Sequence, residues 1–190
     1  MKRAPITQLH APAVTGELTD EGLVAACATS DRAARALLFE RYVDVVHRFV
    51  SRMRGSDSDA VDDLVQATFM AAFAGAARFR GTSAKAWLYG IAANVVRNHA
   101  RTEIRRKHAL ALVAAQPARL APPPGDLLAR ARLPAAIAAL PHDLRAAVIL
   151  VDLEGERGSD AALSLGIPEG TLWRRVFQAR QTLRRALGGE

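Results

Sequence analysis

Residues 109–126 read ALALVAAQPARLAPPPGD. Pro122, Pro123 and Pro124 carry no backbone N–H and hold φ near one value. A run of three forbids helix and favours extended polyproline structure. Charge almost vanishes across the stretch, whereas the sequence on both sides has helical periodicity. The segment is therefore expected to link two helical units. The chain's 190 residues suit two small domains. Half of them are hydrophobic and only 5% are aromatic, with alanine and leucine dominant, which favours helix over sheet. The expected fold is all-α: two small helical domains joined by an Ala/Pro-rich linker.

Thr19-Asp20-Glu21 looks like a capped start for a short helix to about Ala28. Ser30 and Asp31 begin a longer one, with Leu37, Leu38, Tyr42, Val45, Val46, Phe49 and Val50 at spacings of three and four. RGSDSD (54–59) breaks it. The next helix carries Val61, Leu64, Val65, Thr68, Phe69, Ala72 and Phe73 on its apolar side. After FRGTS (79–83), Ser83 is placed to cap a long helix from about Ala84 to Arg106. Beyond the linker, Asp126 is placed to cap the first helix of the second unit. Pro141 ends that helix and opens another, to about Leu153. EGERGSD turns the chain into a short helix near Ser159–Leu165 and then a terminal one. No strand pattern and no internal repeat is found.

Lysine and arginine number 26 against 19 acidic residues, a net charge of +7, and the isoelectric point is near 10.6. That surplus suits a polyanionic partner, nucleic acid before membrane. Cys27 is the only cysteine, so no disulfide can form within the chain, and its small apolar neighbours suggest core packing. No apolar run approaches the roughly 20 residues needed to span a bilayer, and the N-terminal stretch lacks an apolar signal core. A cytoplasmic protein with a flexible leader is expected. His10, His47, His99, His108 and His142 show no metal-ligand spacing, and neither a nucleophile elbow nor a phosphate loop is present. No cofactor, metal or catalytic group is expected.

The terminal segment SLGIPEGTLWRRVFQARQTLRRAL (164–187) is the strongest functional feature. On a helical wheel Leu172, Val176, Ala179, Leu183 and Leu187 share one side, and Thr171, Arg174, Arg175 and Gln178 lie broadly opposite. A short helix precedes it, then Leu165-Gly166-Ile167, with glycine where positive φ is easiest and Pro168 suited to a first helical turn. Two helices joined by a tight turn, with polar and basic groups early in the second, form the helix-turn-helix layout. There the second helix reads base edges in the major groove; arginine can grip guanine and glutamine can pair with adenine. Arg180, Arg184 and Arg185 would meet phosphates. The competing reading is a solvated basic face.

Two further segments are weaker signals. In the 84–106 helix, Asn94, Arg97, Asn98, Arg101 and Arg105 form a polar stripe beside Leu88, Ile91 and Val95, with Trp87 and Tyr89 near the start. Basic groups that track phosphate, with aromatics and amides nearby, suit a single strand with exposed bases. Core packing for Trp87 and a merely solvated stripe stand against this. In DAVDDLVQATFMAAF (59–73) the carboxylates of Asp59, Asp62 and Asp63 suit a helix start through the dipole. Asp62, Asp63 and Gln66 beside an apolar face could also dock a protein.

In this order, the segments resemble the bacterial RNA polymerase sigma factors of the sigma-70 family, extracytoplasmic-function (ECF) subgroup. DDLVQATFMAAF is similar to the polymerase-docking segment. FRGTSAKAWLYGIAANVVRNHARTEIRRK (79–107) is similar to the segment that binds and melts the −10 promoter element. LPAAIAALPHDLRAAVILVDLEG and LGIPEGTLWRRVFQARQTLR resemble the −35-binding domain. The resemblance implies a leader at 1–17, a docking and −10 domain at 18–108, a linker at 109–125 and a −35 domain at 126–190. It implies polymerase contacts at Asp62, Asp63, Leu64, Gln66 and Phe69. The −10 contacts would come from Trp87, Tyr89, Asn94, Arg97, Asn98, Arg101 and Arg105, with Asn94 and its neighbours holding a flipped base. The −35 contacts would come from Thr171, Arg174, Arg175, Gln178 and Arg180. The implied partners are core RNA polymerase, promoter DNA and an anti-sigma factor, with the free protein a monomer outside the membrane.

Several positions depart from the family pattern. Ala67 replaces an acidic residue and Asn98 a common aspartate. Arg157 and Gly158 stand where a capping Ser/Thr and an aromatic are usual, Ala161 where a larger aliphatic is common, and Trp173 and Arg174 where lysine and serine are usual. A stand-alone helix-turn-helix regulator, dimeric on a palindromic site, is the first alternative. A hydrolase using Asp62 and Asp63 with a histidine is the second, and no motif supports it.

Overall fold

The computed structural model describes residues 19–55, 60–80, 83–111 and 127–188. Among them no strand occurs. Helix α1 spans Asp20–Ala28, α2 Arg32–Arg54, α3 Val61–Gly75 and α4 Ala84–Ala111, with a 3-10 turn at Ala76–Arg78 after α3. The second group comprises α5 (Leu127–Ala139), α6 (His142–Val148), α7 (Gly158–Leu165) and α8 (Glu169–Ala186). A π-helical turn, Ile149–Leu153, continues α6.

The starts of α1, α2 and α4 follow from local chemistry. The Thr19 hydroxyl accepts from the Gly22 amide at 3.3 Å. An Asp31 carboxylate oxygen accepts from Ala33 and Ala34 at 2.8 and 3.2 Å. The Ser83 hydroxyl accepts from Ala86 at 3.1 Å. Each satisfies a donor that the helix leaves unpaired. Asp20 adds a tertiary tie: its carboxylate accepts from the Ala84 amide at 3.0 Å and from the Tyr42 hydroxyl at 2.5 Å. Burial and that carboxylate together push the Tyr42 phenol well up from its ordinary value. The Asp126 cap, the prolines of 122–124 and the 1–17 leader lie outside the described residues. Helix α4 runs past Arg106 to Ala111, into the expected linker, because Ala109, Leu110 and Ala111 are strong helix formers.

Leu23, Val24, Cys27, Leu38, Phe49, Leu64, Phe69 and Leu88 fill the core of α1–α4. Burial pushes the Cys27 thiol up, which suits a packing role. Ile149, Leu150, Ala161, Ala162, Leu172 and Val176 fill the core of α6–α8, and the two cores are continuous. The junction is closest where α4 crosses α7: a Cβ on Gly90 would stand 2.2 Å from the Ser164 carbonyl oxygen. Only glycine fits there.

Charged groups tie the same junction. The Glu154 side chain is only 2% exposed. It accepts from Arg48 Nε at 3.1 Å, from the Tyr89 hydroxyl at 3.2 Å and from Arg52. Glu156 pairs with Lys85 at 2.5 Å, and Arg145 donates to the Met53 carbonyl at 2.6 Å. A carboxylate this buried is tolerable because two cations and a hydroxyl surround it.

Candidate polymerase and nucleic-acid interfaces

Asp62 and Asp63 occupy the first turn of α3 and are exposed, as is Gln66. Asp62 lies 3.5 Å from His47 Nε2. Leu64 and Phe69 do not share that surface. They are 3% and 2% exposed, in the core, and the Phe69 ring packs on Phe39 and Phe73 at centroid distances of 4.8 and 6.2 Å. As surface contacts both are therefore corrected: they hold α3 in place. Met70, 62% exposed one turn beyond Gln66, completes the outer edge, and Phe39 on α2 is partly exposed beside Phe69. Sequence reading missed both, although Met70 falls four residues after Gln66 on the same face.

On α4 the polar stripe is real, but its members differ. Asn94, Asn98, Arg101 and Arg105 are exposed, and Arg97 is half-buried and donates to the Asn94 side-chain carbonyl. Trp87 is half-buried and tilted against Phe79 at 5.1 Å. Tyr89 is corrected as a DNA contact. It is buried, its ring lies 5.0 Å from Phe49, and its hydroxyl is committed to Glu154. Burial, with the Glu154 carboxylate second, pushes that phenol well above its ordinary value.

The helix-turn-helix is formed as the sequence suggests. Gly166 adopts φ 63° at the end of α7. Its N–H bonds Leu163 O at 3.1 Å and the Ile167 N–H bonds Ala162 O at 3.1 Å, which closes the turn in the Schellman manner. Ala161 and Ala162 are buried, so α7 packs without larger aliphatics. Two departures from the family pattern compensate one another. A Cβ on Gly158 would stand 2.6 Å from the Trp173 ring, so the missing side chain makes room for the indole.

Helix α8 buries Leu172, Val176 and Ala179. Arg175 bonds Asp143 on α6 at 3.0 Å. Arg180 bonds both Asp152 oxygens, at 3.0 and 2.6 Å, and that pairing pushes its pKa up. Arg174 and Gln178 are exposed, and among the described residues no side-chain hydrogen bond or ion pair engages either; Thr171 is half-buried.

Asn94 and Arg97 of α4 face His142, Asp143 and Arg175 of the second group across a cavity of about 90 Å³. Burial lowers the His142 pKa, Arg97 adds to the lowering, and the Asp143 carboxylate opposes it. Among the described residues no group of three His, Cys, Asp or Glu side chains could hold a metal ion, and no helix is long and apolar enough to cross a membrane.

Comparison with known proteins places the chain in a family. Residues 38–106 match the family model of sigma-70 region 2, and residues 130–183 match that of sigma-70 region 4. The ECF RNA polymerase sigma factor SigM of Mycobacterium tuberculosis H37Rv is 33% identical over 177 residues, covering 90% of this chain and 86% of that protein. The ECF RNA polymerase sigma-E factor of Salmonella typhimurium LT2 is 32% identical, covering 88% and 93%. Among solved structures, the sigma factor RpoE of Bartonella quintana, in complex with the anti-sigma factor NepR, superposes with a TM-score of 0.64 at 28% identity, over 80% of this chain and 96% of that one. CnrH, in complex with the cytosolic domain of CnrY, gives 0.63 at 26% identity, over 89% and 97%. The chain thus belongs to the extracytoplasmic-function group of the sigma-70 family, the sigma factors of RNA polymerase that act in transcription initiation.

Proposed function

We infer that this chain binds core RNA polymerase, directs it to promoters through separate −10 and −35 contacts, and helps open the duplex. The observation that carries the reading is the order of the two matched regions, 38–106 and 130–183, each containing one of the candidate DNA helices. The domain division 18–108, 109–125 and 126–190 belongs to the same reading. The outer edge of α3, from Asp62 and Asp63 through Gln66 to Met70, is the polymerase-docking surface. Asn94, Arg97, Asn98, Arg101 and Arg105 follow the −10 strand, with Trp87 at the margin of the stripe. Thr171, Arg174, Arg175, Gln178 and Arg180 serve the −35 element. The phosphodiester chemistry belongs to polymerase, and the chain works where polymerase and DNA are, in the cytoplasm.

The mechanism is physical. Extruding a base from the stack costs a few kcal/mol, which a positioned amide and a basic stripe offset on the single strand. A cavity of about 90 Å³ between Asn94 and Arg175 holds only a few waters and leaves no room for a nucleotide. Asn94, Asn98, Arg101 and Arg105 are exposed to a strand as they stand, whereas Arg97 is half-buried beside that cavity. An anti-sigma protein is a further expected partner, since the superposed RpoE of Bartonella quintana was solved with one.

Run-off transcription tests the reading, using purified core polymerase with and without the protein on pooled genomic promoter fragments. New specific transcripts are expected, with shared upstream elements. Absence of both transcripts and polymerase binding would replace it with a stand-alone helix-turn-helix regulator.

A further inference from the structure

The outward face of α8 is not purely basic. Trp173 is 45% exposed and Phe177, one turn on, is 66% exposed. They stand beside Arg174 and Gln178, away from the side that buries Leu172, Val176 and Ala179. Large apolar groups on an outer face usually mark a contact surface. The occupant is set by charge: α8 carries five arginines against the single acid Glu169. Although Arg175 and Arg180 pair with Asp143 and Asp152, Arg174, Arg184 and Arg185 have no ion pair among the described residues. A polyanion fits that surround.

The indole is also held in place. Trp173 Nε1 donates to a Glu169 carboxylate oxygen at 3.2 Å, and its ring rests in the space left by Gly158. A side chain fixed before binding loses little entropy when it is covered. In the major groove, the one apolar group on a base edge is the thymine C5-methyl, and apolar side chains read it by contact.

We propose that Trp173 and Phe177 form an aromatic ridge that reads thymine methyl groups in the −35 element, making them specificity-determining residues beside Arg174 and Gln178. This rests on the reading of α8 as the −35 helix. The ridge selects thymine through its methyl, whereas Arg174 and Gln178 supply hydrogen bonds.

The test uses the full chain reconstituted with core polymerase. Duplexes are selected by that complex from a pool randomised over the upstream element, and each thymine is then replaced singly by uracil. Uracil keeps every hydrogen-bonding group and loses only the methyl. At one or two neighbouring positions, binding is expected to weaken about fourfold, the scale of burying one carbon. Trp173→Ala and Phe177→Leu should each bind thymine and uracil duplexes more nearly alike, while Arg174→Ala weakens both equally. Thermal melting of each variant separates misfolding from lost contact, and the mostly exposed Phe177 is the safer site. If uracil is neutral at every position while Arg174→Ala still weakens binding, α8 reads DNA but the ridge does not, and the proposal fails. If Trp173→Ala and Phe177→Leu bind every duplex as the wild type does, the ridge faces a protein instead. If no α8 change alters binding, the −35 reading fails and the proposal with it.

Discussion

The two candidate DNA helices differ in what they have free. On α4, Asn94 and Arg97 bond each other and face the second helical group across a small cavity. On α8, Arg175 and Arg180 are tied to Asp143 and Asp152 of their own group, while Arg174, Gln178 and Phe177 look outward. Both helices read from sequence as arginine stripes. In the folded chain, some arginines neutralise carboxylates and others remain available to a partner. On α8, Arg174 and Gln178 are exposed with no side-chain partner among the described residues; on α4, Asn94 is exposed but bonded to the half-buried Arg97. A count of basic residues therefore overstates what either helix offers.

The same division runs through α3, where the largest effect is expected. Phe69→Ala removes a fully buried ring and should cost about 3–5 kcal/mol of stability. Gln66→Ala, on the exposed edge, should change stability by less than about 0.5 kcal/mol yet weaken polymerase association. Thermal melting and a pull-down with core polymerase measure the two. Equal stability losses would show that the buried and exposed sides of α3 are not distinct.

Next in size is the junction itself. Glu154→Ala deletes the carboxylate that Arg48, Arg52 and Tyr89 share. Breaking a fully buried pair costs about 3–5 kcal/mol, but Arg48 and Arg52 are partly exposed and can recover water, so about 1–3 kcal/mol is expected. Small-angle scattering should show a larger radius of gyration as the two groups part. An unchanged radius would mean that packing around Gly90 and Ser164, rather than the charge cluster, holds the halves together.

What the sequence made legible was local. Thr19, Asp31 and Ser83 announced helix starts, and Gly166 announced the tight turn before α8. Apolar periodicity had already put Leu64 and Phe69 on the inner side of α3, whereas family resemblance put them on the docking surface. The structure sides with periodicity, because a motif locates a segment while spacing locates a face. For Tyr89 the reason is different. Its hydroxyl partner, Glu154, belongs to the other helical group, and nothing within the α4 sequence signals that contact. The ties of Arg175 and Arg180 to acids of the α6 segment were hidden in the same way.

Arginines on α8 allow a finer test. Arg174→Ala should weaken −35 binding with a stability change under about 0.5 kcal/mol, since no ion pair engages it among the described residues. Arg175→Ala should weaken binding less and add a stability loss of up to about 1 kcal/mol from the half-exposed Asp143 pair. Quantitative duplex binding and melting, run on both variants, order them. The reverse order would mean that Asp143 releases Arg175 to the DNA.

His142 gives the smallest and most specific signal, because it titrates at the junction where α4 meets the second group. Burial lowers its folded pKa below the unfolded value near 6.5. The unfolded chain then binds the proton more readily than the native one, so stability rises with pH across that window. The contribution is present above about pH 6.5 and is lost as pH falls toward the folded pKa. Melting temperatures compared between about pH 7.5 and 5.5 should therefore fall further for the wild type than for His142→Asn, which has no proton to take up. Once Glu154→Ala has parted the halves, desolvation and the Arg97 charge no longer act on the imidazole, and its pKa should climb back toward 6.5. NMR titration of the ring can follow that climb directly. If scattering shows the halves parted and the His142 pKa is nevertheless unmoved, α6 and its neighbours alone bury the ring.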